Sequence, residues 1–375
     1  CVDSTGIARP LCVHSWTRGA LRETCGMARL KTSFLTLGTV LSIACGSTSS
    51  AFAGGEVNVY SYRQPELIQP LLDAFTKETG IETNVLFLDK GLVERIQAEG
   101  VNSPADILLT VDIARLVEAK EGGVTQPVLN DPIIEKDIPA NLRDPEGEWF
   151  GLTTRGRVVY ASKERVPQQS ITYEELADPK WKGKICIRDG QHSYNIALFA
   201  SMIAHHGLDY TRTWLTGLKN NLARKPDGTD RSQAKSIYSG ECDIALGNTY
   251  YVGLMLTNEQ EPEEKVWANS VKVIFPNAED RGTHVNISGV AMTKYAPNKE
   301  NALKLMEFLA SGEAQEIYAK QVFEYPVLPG AQPSDVVKGF GPIKPDTLSL
   351  TEIAAHRKEA SELVDEVGFN DGPSQ

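Results

Sequence analysis

The amino-acid sequence predicts an α/β protein with a doubly wound, mainly parallel sheet divided between two lobes. Three observations predict it. Strand-like and helix-like runs alternate over 57–110, a second alternating series starts near residue 185, and no low-complexity linker or internal repeat separates them. Val57-Asn58-Val59-Tyr60-Ser61-Tyr62 alternates as a strand, and Pro65 opens a helix carrying Leu67, Ile68, Leu71, Leu72 and Phe75 at helical spacing up to Gly80. A second strand covers 81–87, a second helix 91–99 and a third strand 105–110. Strand, helix, strand, helix, strand is the signature of parallel pairing. Residues 149–153 and Val158-Val159-Tyr160-Ala161 then read as a strand crossing into new territory. The second series has a strand over 185–187, helices over 196–205, 212–220 and 231–239, and a strand over 243–246. Strands over 271–275 and 287–292 and helices over 299–311 and 312–321 close the chain. Crossing strands in place of a linker imply at least two passes between lobes. The first lobe is therefore expected to be discontinuous, 54–154 with 283–335, around a second lobe of 155–282, with 336–375 packing on both.

The first 53 residues read as a leader. Residues 1–26 hold three of the six cysteines and no methionine, and are expected to be a non-native extension. Met27 to Ala53 has the form of a secretory signal peptide: a basic start through Lys31, an apolar run from Phe34 to Cys45, and Ala51-Phe52-Ala53 as a small-x-small cleavage site before Gly54. Cys45 raises a lipoprotein alternative, against which Ser42 stands where such signals usually carry leucine. The apolar run is too short for a stable membrane span, and no later stretch is long enough. An exported, soluble mature chain is expected.

The composition, 41% hydrophobic and 7% aromatic, is that of a globular protein with a proper core, and the remaining length suits two domains. A net charge of −11 argues against a nucleic-acid partner, which calls for a basic patch. Only Cys186 and Cys242 follow the leader. In an oxidising compartment they read as one disulfide, with two buried unpaired thiols as the alternative.

The stretch that points to a function is Gly247-Asn248-Thr249-Tyr250-Tyr251, after the strand-like Cys242 to Leu246. Neighbouring side chains on a strand face opposite ways, so both phenols reach one point only if the backbone turns, and Gly247 and Asn248 are turn formers. Two converging phenolic oxygens suit a hard, highly charged cation. The plainer reading is a tyrosine pair packing a strand end. Tyr60 and Tyr160 read as strand packing, Met202 and Trp214 as core, His192 as a loop-surface residue, and His205-His206 as a solvated helix end. No Gly-x-Ser-x-Gly elbow, His-Glu-x-x-His, glycine-rich phosphate loop or Cys-x-x-Cys occurs, so an enzyme is not expected.

The order of several motifs resembles one family, the ferric-iron-binding proteins of bacterial ABC importers, within the periplasmic clamshell binding proteins. The carriers run over most of the mature chain: Val59 to Pro65, Ser103-Pro104-Ala105-Asp106-Ile107, Thr154 to Val158, Gln191-His192-Ser193-Tyr194-Asn195, Gly240 to Ile244, and Asn248 to Tyr251. The resemblance implies a periplasmic, monomeric clamshell that holds iron(III) between its lobes and delivers it to an inner-membrane ABC permease. It implies that Tyr250 and Tyr251 are metal ligands, joined by Tyr194. The place of a usual first-lobe histidine is held by Gln64, and Tyr62 is the candidate to replace it. Iron(III) prefers hard anionic oxygen to thiolate, and a trivalent cation displaces the proton of a phenol whose ordinary pKa is near 10. Arg63 or Arg155 is expected to hold a small anion such as carbonate, or to balance charge. A surface ion pair is the alternative for Arg155 and Arg157. The rival function is a clamshell for an organic or oxyanion solute such as a polyamine, thiamine or sulfate. Such a site favours tryptophans, paired acids or helix N-termini over clustered tyrosines.

Overall fold

The computed structural model describes residues 54–373, so the leader and its cleavage site lie outside the described residues. β1 (Glu56–Ser61), α1 (Pro65–Thr79), β2 (Glu82–Phe87), α2 (Leu92–Glu99) and β3 (Ile107–Thr110) follow the alternation read from the sequence. α1 begins at Pro65, where a missing N–H costs nothing, buries Ile68, Leu71, Leu72 and Phe75, and stops at Gly80 with φ 72°. α3 (Ile113–Glu121) and α4 (Pro132–Asp137) went unread; each starts on an aspartate side chain, Asp112 and Asp131, that accepts from helix N–H groups. Next comes β4 (Phe150–Ser162), one continuous strand where the sequence showed two fragments. Beyond it lie β5 (Ile185–Cys186), α5 (Ser193–His206), α6 (Leu208–Asn220), α7 (Asp230–Tyr238), β6 (Ile244–Asn248), α8 (Thr249–Thr257), α9 (Pro262–Ser270) and β7 (Val271–Ile274). β8 (Val285–Met292) leads back to α10 (Lys299–Ala310), α11 (Gly312–Ile317) and β9 (Tyr325–Pro326), and α12 (Asp335–Lys338), α13 (Leu350–Ala355) and α14 (Arg357–Glu366) end the chain. Among the described residues no helix is long and apolar enough to cross a membrane.

The strand order is β2-β1-β3-β8-β4-β6-β5, with β7 and β9 also beside β4. β1 is parallel to β2 and β3, and β5 to β6, as helical crossovers require. β4 and β8 run antiparallel to all their partners, so the sheet is mixed where the two crossing strands pass through it. Residues 150–156 of β4 pair with β8, and residues 157–161 pair with β6. Arg155 and Arg157 therefore flank the point where β4 changes partner, and with a spacing of two they share one face.

Two large apolar cores fill the space around this sheet. One gathers Leu71, Phe75, Leu305 and Leu309 from α1 and α10; the other gathers Phe199, Met202, Trp214 and Leu215 from α5 and α6. α13 packs on α3 and α5, and α14 on α5 and α6, with Phe369 buried behind them. Gly247 departs from its expected role. It lies inside β6, and a Cβ there would stand 2.2 Å from Cζ of Tyr160. The glycine is required by that ring and not by a turn; the backbone turns one residue later, where β6 passes directly into α8.

Cys186 at the end of β5 and Cys242 just before β6 form a disulfide with Cα atoms 5.9 Å apart. It closes a loop of 56 residues that contains α5, α6 and α7. Cross-linking a loop of this size stabilises by about 4 kcal/mol through the unfolded chain. Replacing both cysteines by alanine is expected to lower denaturant stability by up to that amount. A chain starting at Gly54 should show no titratable thiol when unfolded without reductant; two thiols would contradict the bridge.

Candidate metal centre

Tyr250 and Tyr251 stand in the first turn of α8, immediately after β6, and Tyr194 in the first turn of α5. The Tyr194 and Tyr250 hydroxyl oxygens are 3.0 Å apart, and the Tyr250 and Tyr251 rings lie 4.3 Å apart between centroids. Two oxygens bound to one octahedral ion with bonds of about 2 Å stand about 3 Å apart, so this spacing already suits a shared hard cation. Among the described residues no cluster of His, Cys, Asp or Glu could hold a metal. Burial raises the Tyr250 phenol well above its ordinary pKa, reinforced by Tyr194 and Tyr251. Burial likewise pushes up Tyr251, followed by Tyr194 and Asp230. Both are neutral phenols at neutral pH unless a cation displaces their protons.

The strand-to-helix junctions are held by one buried acid. Asp230, the first residue of α7, accepts from Arg157 Nη1 at 2.8 Å, from Arg188 Nη1 at 3.2 Å and from the Asn248 backbone N–H at 2.8 Å. Arg157 also donates to Asn248 Oδ1 at 3.1 Å and Asn195 Oδ1 at 2.6 Å, tying β4 to the start of α5. His192 is half-buried and caps α5, its Nδ1 accepting from Tyr194 N at 3.3 Å. Burial first, then the Arg188 charge, lowers the His192 pKa to about 3, which keeps the ring neutral and its nitrogen an acceptor. The His205-His206 end of α5 is also tied down, by Asp346 and Glu174.

The arginines are not at the surface either. Arg155 is 1% exposed; its Nη1 donates to Ser288 Oγ at 3.2 Å, while Nε and Nη2 are buried without a hydrogen-bond partner among the described residues. Its guanidinium lies 5.8 Å from the Tyr194 ring, with Arg188 at 5.3 Å and Arg157 at 6.0 Å. Arg63 pairs with the fully buried Glu324 at 2.7 Å and donates to Ser288 Oγ. Burial pulls the Glu324 pKa up, but Arg63 and Arg155 outweigh it and the net shift is downward. Four largely buried guanidiniums thus face two buried carboxylates around the phenols, an excess of positive charge.

Tyr62 is a correction. Its hydroxyl accepts from the N–H groups of Leu92 at 3.0 Å and Val93 at 3.3 Å, and the Arg115 guanidinium lies 4.0 Å from its ring. The N-cap of α2 is Gly91, which has no side chain to offer, so Tyr62 supplies the acceptor and packs with Leu92, Val93 and Ile96 of that helix. Gln64 reaches the cleft: with Glu66 and Leu67 it faces Thr229, Arg231 and Tyr251 across an opening of about 580 Å³. Asp230, Arg188, Ser288 and Glu324 were missed by sequence reasoning. Nothing local marks them, since their partners lie 18 to 261 positions away.

Comparison with known proteins bears on the family. Residues 102–339 match the family model described as bacterial extracellular solute-binding protein. The chain is 44% identical over 353 residues to iron uptake protein A1 of Synechocystis, covering 90% of this chain and 97% of that protein. A solved Bordetella ferric binding protein superposes with a TM-score of 0.78 at 52% identity, covering 84% of this chain and 99% of that one. A Trichodesmium protein solved in complex with iron and citrate gives 0.79 at 44% identity over 84% and 100% of the two chains. With its family model matched over more than half its length, the chain belongs to the bacterial extracellular solute-binding proteins, which are binding proteins of transport and not enzymes.

Proposed function

We propose that this protein binds iron(III) in the periplasm through the phenolates of Tyr194, Tyr250 and Tyr251 and delivers it, as a monomer, to an inner-membrane ABC permease. The observation that carries the reading is the convergence of the three tyrosines at the first turns of α5 and α8, with Tyr194 and Tyr250 oxygens 3.0 Å apart. The names of the relatives, an iron uptake protein and ferric binding proteins, agree with it. Three phenolates neutralise a ferric ion, and the surplus guanidinium charge then calls for an anion. Arg155, with two unpaired buried donors, is the group to hold a carbonate or similar small anion.

The rival solutes fare unequally. A polyamine or thiamine carries positive charge into a pocket already rich in buried arginine, and an unpaired buried charge is strongly disfavoured. A sulfate suits Arg155 but leaves the clustered phenols without a purpose. In the proposed cycle, iron docks on the tyrosines and the cleft that Gln64 and Arg231 line closes by hinge motion about β4 and β8. The lobes of that hinge are assigned as 54–154 with 283–335 and as 155–282.

Adding a ferric salt to the purified protein should give a visible tyrosinate–iron band. Tyr250→Phe and Tyr251→Phe should each weaken binding by several orders of magnitude and shift or abolish the band. Tyr62→Phe should keep the band and instead cost about 1–3 kcal/mol of stability, because two helix N–H groups lose their acceptor. A band that disappears in Tyr62→Phe would return that residue to the site.

The pH dependence follows from the raised phenol pKa values. Each phenol that ionises on binding releases one proton, so acid opposes loading and alkali favours it. With all three engaged, apparent affinity should fall by up to about a thousandfold per unit of acidification between pH 8 and 5. A competition titration against a chelator of known protonation would show this; a flat profile would exclude phenolate ligation.

A further inference from the structure

We infer that Glu324 is a positioning residue of the metal site: by pairing Arg63 it leaves Arg155 as the guanidinium of these two that is available to an anion beside the tyrosines. The inference rests on the iron reading above and adds the residue that sets the site's anion dependence. Arg63 Nη2 and Arg155 Nη1 both donate to one oxygen, Ser288 Oγ, so the two guanidiniums are close neighbours. Two like charges buried side by side repel unless a carboxylate lies between them. Glu324 is that carboxylate. It is 0% exposed, pairs with Arg63 at 2.7 Å, and accepts from Ser288 Oγ at 3.0 Å and from Thr153.

The asymmetry between the two arginines is the telling feature. Arg63 has its ion pair within the protein, whereas Arg155 keeps Nε and Nη2 buried and unpartnered among the described residues. Buried donors without partners are rare in folded proteins and point to a group that is to be bound there. The backbone is built to deliver Glu324 to this place. Phe323 adopts φ 58°, a left-handed conformation uncommon for a bulky residue, and it ends the π-helical turn 318–322 just before β9. Its ring lies where a Cβ on Gly253 of α8 would be, 2.5 Å from Phe323 Cγ, so the segment that carries Glu324 is wedged against the helix that carries Tyr250 and Tyr251. Glu324 thereby joins the end of β1, the crossing strands β4 and β8, and the tyrosine helix. Without its charge, Arg63 becomes a second anion-binding guanidinium.

The test uses the iron-loaded full chain, challenged with excess EDTA at a series of bicarbonate concentrations while the visible band is followed. Glu324→Gln is expected to reach half-maximal protection at about tenfold less bicarbonate than the unaltered protein, the scale of one added charge-assisted hydrogen bond. The band should also move, because the charge beside the phenolates changes. Glu324→Asp should shift the curve in the same direction by less, and decides the matter if Glu324→Gln does not fold. The double variant Arg63→Gln/Glu324→Gln, which removes the Arg63 charge together with its partner's, should return to the unaltered bicarbonate dependence. Coincident curves for the single variants, or a double variant displaced from the unaltered curve, would overturn the inference while leaving the iron reading intact. Absence of any band in the unaltered protein would instead remove the iron reading and this inference with it.

Discussion

The buried ion pair between Arg157 and Asp230 is the contact on which the site depends. Asp230 alone takes hydrogen bonds from Arg157, Arg188 and the backbone of Asn248, and Arg157 carries the network on to Asn195. Through these bonds the crossing strand β4, the starts of α5, α7 and α8, and the end of β6 are fixed to one another. A fully buried pair of this kind adds little net stability, because desolvation offsets most of its attraction. What it fixes is geometry: Tyr194 and Tyr250 belong to helices 56 positions apart, yet their oxygens meet at 3.0 Å. Removing Asp230 would leave both Arg157 and Arg188 buried without that counter-charge, so the arrangement stands or falls on one carboxylate.

The phenols of the cleft are protonated while the guanidiniums around them carry positive charge. Buried phenols side by side hold their protons, so the site presents hydroxyls, not anions, to a passing cation. On the proposed phenolate ligation, only an ion that compensates several proton displacements is retained, which selects for high charge and hard character over calcium or magnesium. The surrounding guanidiniums disfavour any cation that does not bring negative charge into being beside them. Placing the phenols at the first turns of two helices adds the N-terminal dipole in the same sense.

Much of this was legible in the sequence, and the illegible part has a common cause. Period and punctuation located β1, α1, α5 and α7 to within a few residues, because an apolar face and a cap are local properties. The tyrosine pair and Tyr194 could be singled out in the sequence, and the structure brings them together; Cys186 with Cys242 was readable as a pair. Tyr62 was misplaced because its partner is the start of α2, a hydrogen bond across 30 positions that no local pattern announces. Gly247 was read as a turn former, since a glycine cleared for the Tyr160 ring looks the same in sequence as one that bends the chain. A surface ion pair stood as the alternative for Arg155 and Arg157 because nothing nearby in sequence neutralises them; Glu324, which compensates Arg63 and Arg155, lies 261 positions from Arg63. Whatever local periodicity governs was seen, and whatever depends on buried charge meeting across the sheet was not.

On the proposed reading, burial keeps Tyr250 and Tyr251 protonated until a hard trivalent ion binds, and they then become phenolates together with Tyr194. Gallium(III), colourless and inert to reduction, tests this without the iron charge-transfer band. Near-ultraviolet difference absorption, recorded as gallium(III) is titrated into the protein at neutral pH, counts the tyrosinates formed. The expected end point is three tyrosinates per bound ion, reduced to two or fewer in Tyr250→Phe. A saturating gallium(III) signal with no tyrosinate formed would contradict it.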